Sequence, residues 1–427
     1  MQKIHQRSVG KLKVVIVPMA TESVTVLAAV SAGSRDEAAD EHGAAHFLEH
    51  FVFKGTKKYP QTNDVSRAID GIGGLQNAFT SHDMTGFWTK VSSDKLRTGL
   101  EVVAQLVCEP LLPTGELDKE RGTIIEELNM YEDNHPMKAW EVAEKLVFPG
   151  SALGRPIIGT LESLKAMKTE NLKSFRDRWY GGNNMVLVVA GGVGSATDGA
   201  IVGKKVIELV EQEFSSVLVK EISAKRQGYD QVFTDSGPVV EVVNKKTEQA
   251  HVVLAFRGLA ANSKLVPVLE VLNMAMGGNM SSRLWNEIRE RRGLAYYVKA
   301  GSDAHKDNGV SVVRMGVRLQ SAAEAVSVVI SELAKVVKTG LTTEELMRAK
   351  EAVKGHLVLS MEDSQEVAVE AASDWVMTGQ IETIQEKITK IEAVTREQVD
   401  QVAKEIFDPK KVCLSAVGPL DKVDFRL

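Results

Sequence analysis

The sequence predicts an α+β fold made of two homologous domains, each a β-sheet covered by helices. Three observations carry this. The chain repeats itself at about half its length, β-branched apolar runs alternate with amphipathic helical patterns, and the composition is that of an ordinary globular protein. The 427 residues suit two or three domains at roughly 100–200 residues each. A hydrophobic fraction of 44% and a charged fraction of 26% exclude disordered and fibrous chains.

The repeat appears as three ordered matches. Thr21-Glu22 precede the apolar run Val24–Val30; 226 positions on, Thr247-Glu248 precede the strand-like run His251–Phe256. Val186–Gly192 (VLVVAGG) reads as a buried strand ending in glycine, and Val412–Gly418 (VCLSAVG) repeats it at the same offset. Leu112–Leu117 (LPTGEL) matches Leu341–Leu346 (LTTEEL) at an offset of 229, each before a long helical pattern with Thr114 or Thr343 placed to cap it. Ser93–Leu106 and Ala322–Val337 are apolar at i, i+3 and i+4, as amphipathic helices are. Domains at 1–215 and 238–427 follow, with the polar stretch 216–237 as linker.

Lys and Arg total 52 against 57 Asp and Glu, a net charge of −5, which argues against a nucleic-acid partner. No run reaches the roughly 18 apolar residues of a membrane span, so no membrane partner is expected. The apolar block Val14–Val17 stops at Pro18 without a secretory ending. Cys108 and Cys413 sit among apolar residues, as free thiols of a reducing, cytoplasmic compartment do. Gly191-Gly192-Val193-Gly194 lacks the Gly-Lys-Ser/Thr ending of a phosphate loop and reads as a strand-ending turn.

Chemistry concentrates in His46-Phe47-Leu48-Glu49-His50, an H-x-x-E-H pattern in a helical segment from about Glu41 to Phe53. One helical turn puts His46 and His50 on one face, able to share a metal ion, with Glu49 beside them to reach a metal-bound water. This is the inverted zinc-peptidase arrangement. A catalytic zinc takes a third protein ligand, and Leu117–Tyr131 (LDKERGTIIEELNMY) offers carboxylates. At 100° per residue Leu117, Ile124, Leu128 and Tyr131 share an arc, Glu120 and Glu127 flank it, and Glu126 points to solvent.

With these residues the chain resembles the pitrilysin/insulinase-like zinc metallopeptidases, in the half-size branch that includes mitochondrial processing peptidase. In that family a glutamate ligand follows HxxEH by about 75 residues; here 76 residues lie between His50 and Glu127. HFVFKGT (His50–Thr56), LGRPIIGT (Leu153–Thr160), Gly277-Gly278 with Ser282-Arg283-Leu284, and LWNEIRERRGLAYYV (Leu284–Val298) resemble family segments in family order. Ser151-Ala152 departs from the His-Pro often found before LGRP.

The resemblance implies one Zn2+ per chain on His46, His50 and Glu127, with Glu120 as outer carboxylate and Glu49 as general base. It implies that Asn77, Ala78 and Phe79 belong to a substrate-binding edge strand, and that Arg289 and Tyr296 form an arginine–tyrosine pair near the substrate. It implies mostly antiparallel sheets, the two domains forming half of a clamshell that hydrolyses unstructured peptides. In the second repeat Leu272, Ala275, Met276 and His356 stand where the first has His46, Glu49, His50 and Glu127, so no second metal site is expected. Holding both the zinc motif and the arginine–tyrosine pair points to a homodimer, with a heterodimer of related subunits the other arrangement. The alternative function is a catalytically silent structural or partner subunit. Read without the family, Arg289 is a surface arginine and Tyr296 a packed tyrosine.

Overall fold

The computed structural model describes residues 4–193, 199–226, 228, 238–422 and 425. The first sheet is built from β1 (His5–Val9), β2 (Leu12–Pro18), β3 (Ser23–Val30), β4 (Leu75–Thr80), β5 (Thr85–Ser92) and β6 (Met185–Gly191). Their spatial order is β1-β2-β6-β3-β5-β4. The second contains β7 (Val239–Val243), β8 (Gln249–Gly258), β9 (Ala295–Ala304), β10 (Gly309–Arg318) and β11 (Cys413–Val417), in the order β7-β11-β8-β10-β9. Leaving out β1, the sheets match strand for strand. Each has one parallel pair, β2–β6 or β7–β11, in an otherwise antiparallel sheet. The expected α+β architecture of two mostly antiparallel sheets with helices is therefore present.

Strand alternation decides which helices cover which face. On β6, Val186, Val188 and Ala190 pack with Val367, Ala368, Ala371, Ala372 and Val376 of the helix Ser364–Thr378. That helix comes from the second repeat. Its start is tied to the first sheet by Thr25 Oγ1–Ser364 Oγ at 2.8 Å and by Lys90 on the Asp363 carboxylate at 2.9 Å. Reciprocally, Ala139, Ala143 and Val147 of the helix His135–Val147, from the first repeat, pack on Val253 and Ala255 of β8 and on Cys413 and Val417 of β11.

The compact units therefore differ from the contiguous division expected at 215 and 238. One comprises Met1–Leu128, Pro156–Gln227 and Leu359–Gln385; the other comprises Asn129–Arg155, Gly228–Val358 and Glu386–Leu427. Each sheet leaves a row of small and β-branched residues whose cover lies in the opposite half of the sequence.

The expected linker is also in part an ordered strap of the first unit. The helix Ser215–Val219 and the residue after it accept backbone bonds, from Lys11 N to Leu218 O (2.7 Å) and from Gly182 N to Lys220 O (2.9 Å). Arg226 then ion-pairs with the buried Asp36 and Asp83. Residues 227 and 229–237 of that linker lie outside the described residues.

Smaller differences concern helix ends. Thr342, not Thr343, caps the helix Thr343–Ser360, accepting from Glu345 N at 3.2 Å while Glu345 Oε2 accepts from Thr342 N at 2.8 Å. This is a capping box. Thr114 opens a 3-10 turn, Thr114–Glu116, that leads into the helix Leu117–Asp133.

Candidate metal centre

The helix bearing the H-x-x-E-H residues runs Ala44–Phe51, shorter than the predicted 41–53, with a 3-10 turn, Val52–Lys54, continuing it. It begins at Gly43, whose φ of 93° lies in the left-handed region that glycine enters without strain. Gly43 has no side chain to cap the helix, and Glu37 does so instead. Its two carboxylate oxygens accept from Gly43 N and Ala45 N, both at 2.9 Å. Phe47, Leu48 and Phe51 are fully buried, each burial worth about 1.5–3 kcal/mol. Locking that face inward turns His46, Glu49 and His50 toward the opposite side.

The second contributor is the helix Leu117–Asp133, with Leu117, Glu120 and Ile124 buried. Glu126 is exposed and Glu127 half-buried, as the helical phase predicts. His46, His50 and Glu127 converge, one ligand atom from each lying within 4.8 Å of the others. Glu127 Oε2 is 3.7 Å from His46 Nε2 and 3.4 Å from His50 Nε2. Tetrahedral zinc with bonds of about 2.0–2.2 Å separates its ligand atoms by roughly 3.3–3.6 Å, which the two distances to Glu127 approach. Three protein donors leave a fourth position open, as catalytic sites do.

Around them the polar contacts are specific. His50 Nδ1 pairs with Glu120 Oε1 at 3.1 Å, fixing the ring so that Nε2 faces Glu127. Lys54 ion-pairs with the other Glu120 oxygen. Glu49 Oε2 accepts from Thr80 Oγ1 at 2.6 Å.

Charge follows this geometry when no metal is present. Burial, then the neighbouring His50, lowers His46 and keeps it neutral. Burial also works to lower His50, but hydrogen bonds to Glu120 and Glu127 outweigh it and raise His50 to about 9. Burial works to raise Glu120, while His50 and Lys54 hold it below the ordinary carboxylate value. Burial raises Glu49 against the opposing Thr80 hydrogen bond.

Asn77, Ala78 and Phe79 lie on β4, which is the edge of the first sheet. Asn77 is exposed, with its Oδ1 accepting from Ala78 N at 2.9 Å; Ala78 is buried, and Phe79 packs on the sheet core. Arg289 and Tyr296 lie in the second unit. Arg289 stacks on Trp285, 4.2 Å from the ring centroid, in the π-helical segment Trp285–Glu290. Tyr296 is the second residue of the edge strand β9 and is 74% exposed, so it is no packing residue. Leu272, Ala275 and Met276 are buried in the second unit's core.

Sequence reasoning missed Glu37, Lys54 and the Thr80–Glu49 bond. Lys54 stands one helical turn beyond His50, a spacing that could have suggested it. Nothing local points to Glu37 or Thr80.

Family models bear on this arrangement. Residues 13–161, which include His46, Glu49, His50 and Glu127, match the model described as Insulinase (Peptidase family M16). Residues 166–353 match the one described as Peptidase M16 inactive domain. An uncharacterized zinc protease of Streptomyces coelicolor is 34% identical over 92% of this chain and 85% of its own. The uncharacterized zinc protease YmxG of Bacillus subtilis is 31% identical over 93% of each. Among solved structures, a protease from Helicobacter pylori aligns with a TM-score of 0.87 at 24% identity, covering 98% of this chain and all of that one. Similarity to these relatives over more than nine-tenths of the chain, together with the two family models, shows that the chain belongs to the pitrilysin/insulinase family of peptidases, M16.

Proposed function

We propose that the protein is a zinc-dependent endopeptidase acting on unstructured peptides. The observation that carries this is the convergence of His46, His50 and Glu127, whose ligand atoms lie within 4.8 Å of one another, with Glu49 on the same helix. Glu120 orients His50 and completes the site. Zinc bound there supplies Lewis acidity toward a water and toward the substrate carbonyl. Glu49 takes a proton from the attacking water and returns it to the leaving amine. Arg289 and Tyr296 hold the substrate backbone or its developing charge.

The outer edge of β4, at Asn77, Ala78 and Phe79, accepts an extended peptide as an added strand, which reads backbone more than side chains and gives broad specificity. The working form is a homodimer enclosing its substrate, with one zinc per chain. A cytoplasmic site suits Cys108 and Cys413, two free thiols that burial raises to about 12 and about 11. No helix among the described residues is long and apolar enough to cross a membrane.

The test is zinc content together with cleavage of a quenched unstructured peptide, with and without chelator, for wild type and Glu49→Gln. The amide keeps the shape of the side chain and all three ligands but cannot accept the proton. The expected result is near-normal zinc and at least a ~10²-fold loss of rate. Zinc-replete Glu49→Gln with wild-type turnover removes Glu49 from the mechanism.

A further inference from the structure

The hydroxyl of Thr80 reaches the Glu49 carboxylate from the end of β4, the strand whose Asn77, Ala78 and Phe79 are expected to bind substrate. Thr80 Oγ1 donates to Glu49 Oε2 at 2.6 Å, the short distance of a hydrogen bond to a charged acceptor. Among the described residues it is the one hydrogen bond made to that carboxylate. It engages a single oxygen, so Oε1 remains for a proton.

The donor stands on a firmly held part of the fold. Thr80 is the last residue of β4 and pairs with Thr85 of β5. Between them the turn closes through Ser81 N to Met84 O at 2.8 Å, and Ser81 Oγ accepts from Met84 N at 3.0 Å. The turn is also tied to the loop before the metal-site helix, by Ser34 N to Ser81 O at 3.1 Å and Arg35 N to His82 O at 3.2 Å. Gly33 permits that approach, since a Cβ there would lie 2.1 Å from Ser81 O. Asp83, buried in the turn, is held by Arg35 at 3.1 Å and by Arg226 at 2.6 Å. As a β-branched residue Thr80 has a restricted χ1, which limits the directions its hydroxyl can take.

We propose that Thr80 is the positioning residue for the general base, its hydroxyl holding one oxygen of Glu49 so that the other faces the attacking water; this rests on the peptidase reading above. During the reaction the water O–H bond breaks and an O–H bond forms at Glu49 Oε1. That proton later passes to the leaving amine nitrogen as the peptide C–N bond breaks, and Thr80 keeps its own proton throughout. Without the hydroxyl, the carboxylate is free to rotate away from the line of proton transfer. Misplacement of a reacting group by about 1 Å can cost about 10²-fold in rate.

The experiment compares wild type, Thr80→Val and Thr80→Ser by zinc content, chelator competition, and kcat and KM on an unstructured peptide. Valine keeps the β-branched shape and strand preference and removes only the hydroxyl. The expected result is that Thr80→Val holds one zinc with unchanged affinity and a KM within about twofold, while kcat falls about 10–10²-fold. Thr80→Ser restores most of the loss. In the Glu49→Gln background, Thr80→Val should change the residual rate no further, since the group it positions is gone. Wild-type kcat in Thr80→Val, a change in KM alone, loss of zinc, or an undiminished effect in the Glu49→Gln background each overturns the proposal. If zinc-loaded wild type cleaves no peptide, the peptidase reading falls and this falls with it. If wild type is active and Thr80→Val equals it, this alone falls.

Discussion

Three glutamates within eight residues occupy three different environments. Glu127 faces both histidines, Glu120 is buried behind His50, and Glu126 points to solvent. Substituting each by alanine should therefore give three different outcomes. Glu127→Ala loses the anionic ligand and with it the zinc. Glu120→Ala keeps the ligand set but lets the His50 ring turn, weakening metal affinity by roughly 10–100-fold. Glu126→Ala is silent. Metal content after dialysis against a graded chelator series checks all three. Zinc lost from the Glu126 variant and kept by the Glu127 variant would show the helix to be rotated from the phase described. The sequence shows Glu126 on the solvent side and Glu120 and Glu127 on the inward flank, because helical periodicity is local and Leu117 and Ile124 fix which side is inward. Which of the two inward glutamates meets the histidines came only from the family resemblance.

At the scale of elements, legibility ended where partners are distant in sequence. The strands at 23–30, 185–191, 249–258 and 413–417 were readable from runs of apolar β-branched residues. The destination of the helices His135–Val147 and Ser364–Thr378 was not. Their apolar faces are alike, both sheets offer similar rows of Val and Ala, and nothing local states which copy covers which.

The strap at 215–226 was hidden for the same reason, because Arg226 finds Asp36 and Asp83 more than 140 positions away. There the buried Asp36 and Asp83 meet two arginines, the buried Arg35 and the half-buried Arg226. Burial drives the Asp36 carboxyl up, and Arg226 works against it. Arg226→Met removes one cation and leaves buried acid uncompensated, which costs about 3–5 kcal/mol where an ion pair is this enclosed. A lower urea midpoint for the variant, at unchanged slope, is the expected reading. An unchanged midpoint would mean that water takes over the cation's role.

For the whole molecule, the question is where the arginine–tyrosine pair meets the metal. In the homodimer proposed above, each site takes zinc from one chain and Arg289 with Tyr296 from the other. Two inactive variants, Glu49→Gln and Tyr296→Phe, should then complement each other on subunit exchange. A mixed dimer unites the intact metal site of one chain with the intact pair of the other, recovering up to half the wild-type sites. Mixed dimers that form and stay inactive would show that the site is built within one chain, or that Tyr296 has no part in it.

The crossing of helices between the repeats bears on how the protein is made. Synthesis proceeds from one end, and the last strand of the first sheet is complete once residue 191 has been added. The helix that covers its Val15, Leu27, Val186 and Val188 face is not finished until residue 378. A sheet folded from the first repeat alone would leave that apolar face bare. A nascent chain in this condition invites chaperones or aggregation. Translation cannot release a finished first half, because the first half is finished by the second.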